Sequence, residues 1–169
     1  RTLALPGKGR AAWPAWGATG GSLYYVEIQM GNGPDEGTIW RYDMQAGKAE
    51  KVADEPEVEG SPSVSSDGVL LFTTWAQSQS CHLSTMDPGA SQPKLMWDRS
   101  LSLSGAAQLP GGRIAAVASD TRGQKVILLR NGKLERDFDV PGASGRPVPY
   151  ESGLLLTRID NGAGRIHVM

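Results

Sequence analysis

The sequence predicts an all-β fold built from a fourfold repeat. Three observations carry this. Glycine (22) and proline (11) are dense among the 169 residues, which breaks helices and marks frequent turns. No segment shows a 3.6-residue apolar period, while short apolar runs bounded by turn residues recur throughout. Third, four lines of sequence superimpose: Trp13 to Gly20, Ser61 to Gly68, Gly105 to Gly112 and Arg146 to Gly153. Each places a glycine six residues after Pro14, Pro62, Ala106 or Pro147, and the glycines Gly20, Gly68, Gly112 and Gly153 are spaced 48, 44 and 41 apart. A turn needing positive φ is the expected reason for each of these glycines.

The elements follow in order. After each glycine comes an apolar run: Leu23 to Val26, Val69 to Phe72, Ile114 to Val117, and Leu154 to Leu156. Such continuous runs suit strands covered on both faces. A third run follows at Thr38 to Tyr42, His82 to Met86, Val126 to Leu129, and Ile166 to Met169. Turn residues come next in the first three units, among them Asn131-Gly132, a strong hairpin signal. A fourth run closes those units at Ala49 to Ala53, Lys94 to Trp97, and Glu135 to Phe138. The stretch Val69 to Asp87 lacks glycine and proline but is split by Gln77 to Ser80, so it reads as two strands and a loop.

Four short strands per unit of about 40–45 residues is the arithmetic of a β-propeller blade. The sequence therefore predicts one domain over residues 1–169: four blades of four antiparallel strands, over residues 11–54, 60–98, 104–139, and 146–169 plus 1–5. In this reading Arg1 to Leu5 is a fourth strand that completes the last blade, with Leu3 and Leu5 buried beside Ile166 and Val168. Closure of this kind removes unpaired strand edges. An arc of a larger propeller is the alternative.

Lys plus Arg number 17 and Asp plus Glu 18, giving a formal charge of −1. That balance argues against nucleic acid as a partner, since such binding needs a basic stripe. No apolar run approaches the roughly 18 residues of a membrane span, so membrane insertion is not expected. One cysteine excludes an internal disulfide and decides nothing about compartment. The chain opens on Arg1 with no secretory leader pattern ahead of it, which fits a processed chain or a segment of a longer one.

The repeat lines resemble those of the TolB-like propellers, the WD40-like PD40 group. Pro62-Ser63-Val64-Ser65-Ser66-Asp67-Gly68 followed by Leu70-Leu71-Phe72 matches best. Pro14-Ala15-Trp16 with Gly20, Tyr24-Tyr25 and Trp40-Arg41-Tyr42-Asp43 is nearly as close. The third unit departs, with Ala106 for proline and a Pro110-Gly111-Gly112 turn, and the fourth lacks the aspartate before Gly153. TolB-like propellers usually have six blades. The resemblance implies a noncatalytic interaction domain of a bacterial envelope, periplasmic or secreted.

Catalytic, metal and cofactor roles are not expected. Cys81 stands next to His82, but a nucleophile also needs an orienting group and an oxyanion site, so Cys81 reads as a strand residue. His82 and His167 fall in third strands, away from the axis, and read as separate residues rather than metal ligands. Asp160-Asn161-Gly162 lacks the further carboxylates of a calcium loop and reads as a hairpin turn. No Gly-x-Ser-x-Gly, phosphate-binding loop or His-Glu-x-x-His occurs. The tryptophans Trp13, Trp16, Trp40, Trp75 and Trp97 suit inter-blade packing, with sugar stacking as the alternative.

Charge placement supplies the candidate site. In an up-and-down blade, the loops joining strands two to three and strands four to one emerge on the same pole. That pole receives Asp35, Glu36, Asp54, Glu55, Glu57 and Glu59 on blades one and two. It receives Lys8, Arg10, Arg99, Arg122 and Arg146 on the other side. Such a dipolar face is either solvated surface or a steered docking face for a protein partner. The sequence therefore points to a noncatalytic protein–protein interaction or scaffold module. A propeller accessory to a hydrolase, or a carbohydrate-binding propeller, is the alternative.

Overall fold

The structure is a computed structural model. It describes residues 3, 5, 6, 9–29, 36–55, 62–75, 81–99 and 101–169, with only the backbone of Glu36, Asp54, Glu55, Trp75, Cys81, Asp98 and Arg99. Among these residues every regular element is a β-strand. The first sheet holds β1 (Arg10–Trp16), β2 (Ser22–Gln29), β3 (Glu36–Asp43) and β4 (Lys48–Glu55). The second holds β5 (Ser63–Val64), β6 (Leu70–Trp75), β7 (Cys81–Met86) and β8 (Lys94–Arg99). The third holds β9 (Ser102–Leu109), β10 (Arg113–Asp120), β11 (Gly123–Arg130) and β12 (Lys133–Asp139). The fourth holds β13 (Ala143–Tyr150), β14 (Gly153–Asp160) and β15 (Ala163–Val168). Each sheet is an antiparallel meander in chain order. Together they form a four-blade propeller whose sheets have three or four strands.

The apolar runs become second and third strands, and they are buried because each blade packs its two faces between neighbours. Val26, Ile39 and Ala53 of blade one meet Leu70, Phe72 and Met86 of blade two. Leu71, Leu83 and Trp97 of blade two meet Leu103, Ala106, Ile114 and Ile127 of blade three. Ala115, Val117 and Val126 of blade three meet Ala143, Leu154 and Leu156 of blade four. The core is thus three inter-blade layers rather than one centre, as sheet-on-sheet packing requires.

The hairpin signals hold at Asn131-Gly132 and Asn161-Gly162, where both central residues take positive φ (50° and 72°; 50° and 78°). Of the four repeat glycines, Gly20, Gly68 and Gly112 have positive φ (72°, 85° and 70°), and Gly153 does not. The fourth unit has a two-residue turn between Tyr150 and Gly153, and Glu151 carries the positive φ of 48° there. Gly153 is needed for another reason: a β-carbon on it would collide with the carbonyl oxygen of Met169, which hydrogen-bonds to the Leu154 amide at 2.9 Å.

Residues 1–5, expected as the outer strand of blade four, fall largely outside the description. Leu3 and Leu5 are in no strand. Among the described residues blade four has three strands. Ile166 and Val168, expected to be buried beside Leu3 and Leu5, are 76% and 69% exposed. Cross-strand pairing sets Val148, Leu155 and Val168 in one row and Thr157 beside Ile166. These side chains share the face turned away from blade three, and among the described residues no hydrophobic cluster of a neighbouring blade includes Ile166 or Val168.

Candidate functional site at the propeller axis

The first strands of all four blades converge on one pocket of about 180 Å³, lined by Ala15 and Trp16 of β1, Ser63 and Val64 of β5, Ala107 and Gln108 of β9, and Arg146 to Pro149 of β13. Three of these strands are interrupted by bulges. In β1, Trp13 and Pro14 face a single residue between the Ala12–Val26 and Ala15–Tyr24 pairs, and Trp13 takes a φ of 49°. In β9, Ser104 is the extra residue between Leu103 and Gly105. In β13, Gly145, Arg146 and Pro147 stand opposite one residue, with Gly145 at a φ of 74°. Bulges bend a strand and re-aim its side chains. Here they set Arg146 and its two prolines against the axis.

Arg146 is half-buried, and its Nη1 donates to the Pro62 carbonyl oxygen at 2.7 Å. Burial holds its pKa below the ordinary arginine value, because desolvation disfavours the charged form. Ser63 is only 8% exposed, and its hydroxyl has no hydrogen-bond partner among the described residues. The Gln108 amide nitrogen donates to the Val69 carbonyl at 3.0 Å, tying blade three to blade two. Trp16 is 59% exposed at the pocket rim. The arrangement offers a guanidinium engaged by a neutral carbonyl and a serine hydroxyl with no partner among the described residues, beside an aromatic and two prolines. It is equipped to hold a group.

The residues expected on the dipolar pole are placed as follows. Lys8, Asp35, Glu57 and Glu59 lie outside the described residues. Glu36 opens β3, Asp54 and Glu55 close β4, and Arg99 closes β8; their side chains are likewise outside the description. Arg10 is exposed at the start of β1. Arg122 is exposed on the β10–β11 turn, where its backbone amide donates to the Asp120 carboxylate at 2.8 Å. Arg146 stands inside β13 rather than in a loop, so of the named residues it is the one at the axis.

His82 on β7 and His167 on β15 are half-buried on different blades. Among the described residues no three His, Cys, Asp or Glu side chains are grouped as a metal site would need. Trp97 is buried between blades two and three, whereas Trp13 is partly exposed. The side chains of Trp75 and Cys81 lie outside the description. Among the described residues no helix is long and apolar enough to cross a membrane.

Sequence reasoning missed the burial of Ser63, Glu27 and Lys125, among other polar groups. Ser63 belongs to a repeat line, but nothing in that line marks its burial. Glu27 is buried on β2 and accepts a hydrogen bond from the Gly9 amide at 2.8 Å, fixing the approach to β1. Its charge, after burial itself, raises the pKa of the buried Tyr25 phenol. Lys125 is buried with its ammonium 3.0 Å from Asp120 and 3.8 Å from Asp137.

No family model matches the chain, and no curated protein is similar to it at a significant level. Solved structures are similar to it in fold. TolB from Acinetobacter baumannii superimposes with a TM-score of 0.69 at 20% identity, over 95% of this chain and 43% of that one. A chain of the nidogen/laminin complex gives 0.72 at 15% identity, over 94% and 59%. An acylaminoacyl peptidase bound to a chloromethyl ketone gives 0.70 at 12% identity, over 94% and 30%. The fold is therefore a β-propeller, similar to that of TolB. The chain spans less than two thirds of each of these structures.

Proposed function

We propose that this chain is a noncatalytic protein-interaction module, periplasmic or secreted, that engages a protein partner at the loop pole and the axis. The supporting observation is the axial pocket, which holds the Arg146 guanidinium, engaged by the neutral Pro62 carbonyl, and Ser63, whose hydroxyl has no hydrogen-bond partner among the described residues. Binding sites place a few polar groups in an otherwise apolar wall. One of the similar structures is itself a complex of two proteins, nidogen and laminin. The carboxylates Asp35, Glu36, Asp54, Glu55, Glu57 and Glu59 and the cations Lys8, Arg10, Arg99 and Arg122 steer the encounter. Opposed patches mainly speed association, and salt screens them over about 8 Å at physiological ionic strength.

The test is reversal of Glu55, Glu57 and Glu59 to lysine, with partner capture from the native host compared at low and moderate salt. Reduced capture by the variant at low salt, with the difference narrowing as salt rises, is expected. Equal recovery of every partner under both conditions would leave these loops as solvated surface. A second reading, a propeller accessory to a hydrolase, is favoured by the fold similarity to the acylaminoacyl peptidase and to a puromycin hydrolase, of which the chain spans 30% and 26%. It expects hydrolysis of a peptide p-nitroanilide only when a separate catalytic domain is present.

A further inference from the structure

The axial pocket contains a cation and a hydroxyl whose hydrogen-bonding capacity the fold leaves incomplete. We infer that this pocket binds a carboxylate carried by a peptide segment entering along the axis, with the Arg146 guanidinium and the Ser63 hydroxyl as its donors. The inference rests on the interaction-module reading and names the chemistry that the partner presents.

Arg146 differs from four other arginines on these sheets. Arg41, Arg122, Arg130 and Arg158 each have a carboxylate within 3.5 Å, from Glu50, Asp120, Glu135 and Asp160. Among the described residues no carboxylate pairs with Arg146, although it is the half-buried one at the axis. A guanidinium carries five N–H donors in a planar fork. Here one nitrogen is engaged by the neutral Pro62 carbonyl. A desolvated cation beside a neutral acceptor gains most from an anion, because charge-assisted hydrogen bonds are roughly twice as strong as neutral ones.

Ser63 supplies the second donor. The Pro62 carbonyl carbon is bonded to the Ser63 nitrogen, so the guanidinium that holds this carbonyl lies beside the Ser63 side chain. Ser63 lines the pocket and is more than nine-tenths buried, and its hydroxyl has no hydrogen-bond partner among the described residues. A buried hydroxyl left unsatisfied costs about 1–3 kcal/mol, which a bound oxygen would recover. One planar carboxylate can accept from both groups at once.

Size and wall chemistry narrow the class. About 180 Å³ is below the range of roughly 300–1,000 Å³ usual for drug-sized ligands. It fits a carboxyl group and its methylene stem. Ala15, Trp16, Pro147 and Val148 form an apolar collar for that stem.

The test uses the full chain labelled with nitrogen-15 and follows the Arg146 side-chain Nε–Hε resonance. The probes are a blocked peptide with one central aspartate, its asparagine counterpart, a neutral peptide with a free C-terminal carboxylate, and inorganic phosphate. A saturable shift with the aspartate peptide and none with the asparagine peptide is expected. A shift with the free-terminus peptide alone would assign the carboxylate to a chain end and would also support the site. Ser63→Ala, which removes only the hydroxyl, should weaken binding about two- to tenfold, the range of one net hydrogen bond. Arg146→Lys, which loses the fork, should weaken it at least about tenfold. Equal shifts with aspartate and asparagine peptides, undiminished binding by Ser63→Ala, or a response to phosphate alone would overturn the assignment. If no carboxylate probe shifts Arg146 while capture of the partner still depends on Glu55, Glu57 and Glu59, the pocket fails and the interaction reading stands. If both responses are lacking, the reading itself fails.

Discussion

A β-carbon on Gly105 would lie 2.8 Å from the Cα of Arg146 and 2.9 Å from its backbone nitrogen. The backbone of β9 therefore approaches that of β13 at a distance that only glycine permits. This contact seats the Arg146 bulge against blade three and so fixes the floor of the axial pocket. Gly105→Ala should separate the two strands or strain one of them. Overpacking of this kind costs typically 1–3 kcal/mol. The expected outcome is a lower urea midpoint together with a shifted Arg146 side-chain resonance. An unchanged midpoint and resonance would show that the two backbones have slack.

Blade four offers a contrast between its two faces. Leu156 packs into the layer shared with Ala115, Val117 and Val126. Leu156→Ala should cost about 2–5 kcal/mol, as large-to-small core changes do. Ile166 and Val168 lie on the opposite, uncovered face. Ile166→Lys and Val168→Lys should stay within about 0.5 kcal/mol of the parent, the usual range for surface changes. A large loss of stability from either lysine would mean that this face is covered in solution.

The Asp120 carboxylate titrates at about 2, below its ordinary 3.8, first because it accepts the Arg122 amide and then because it accepts a hydrogen bond from Lys125. A depressed carboxylate stabilises the fold above its unfolded pKa and loses that contribution as pH falls through its folded value. The window here runs from about pH 4 down to about 2. Asp120→Asn should flatten the stability–pH curve in that window and lower stability at neutral pH, since buried Lys125 loses its nearest counter-charge. Urea midpoints of both proteins between pH 2 and 7 provide the check. Parallel curves would exclude Asp120 as the group responsible.

The blades were legible in the sequence because each needs the same physical devices: a turn, a double-faced apolar run, and a hairpin. Leu70 to Phe72 and Ile114 to Val117 had to be buried wherever they lay. The axial pocket was not legible. Its lining comes from first strands, which carry no continuous apolar run, and from bulges that displace Arg146 from its expected loop. Ser63 is buried where Arg146, 83 positions later, hydrogen-bonds to the preceding carbonyl. No local pattern encodes that meeting.

The fourth repeat glycine gives the sharpest separation between a local and a nonlocal cause. Aligning the four lines assigns one role, positive φ, to Gly20, Gly68, Gly112 and Gly153. The fourth turn is instead closed by two residues between Tyr150 and Gly153, and Glu151 takes the left-handed conformation at a φ of 48°. For an L-residue that region costs roughly 1–2 kcal/mol, and glycine avoids it at an unfolded-state entropy cost of about 0.5–1 kcal/mol. Glu151→Gly should therefore be neutral to stabilising by up to about 1 kcal/mol, although it deletes a whole side chain. Gly153→Ala should act in the opposite direction. Its β-carbon would meet the Met169 carbonyl, which pairs with Leu154, so the end of β15 must move or its hydrogen bonds must lengthen. A loss of about 1–3 kcal/mol is expected, the cost of overpacking. Urea unfolding of the two variants decides the matter. Destabilisation by Glu151→Gly together with tolerance of Gly153→Ala would restore the turn role to Gly153 and overturn the assignment made from the pairing register.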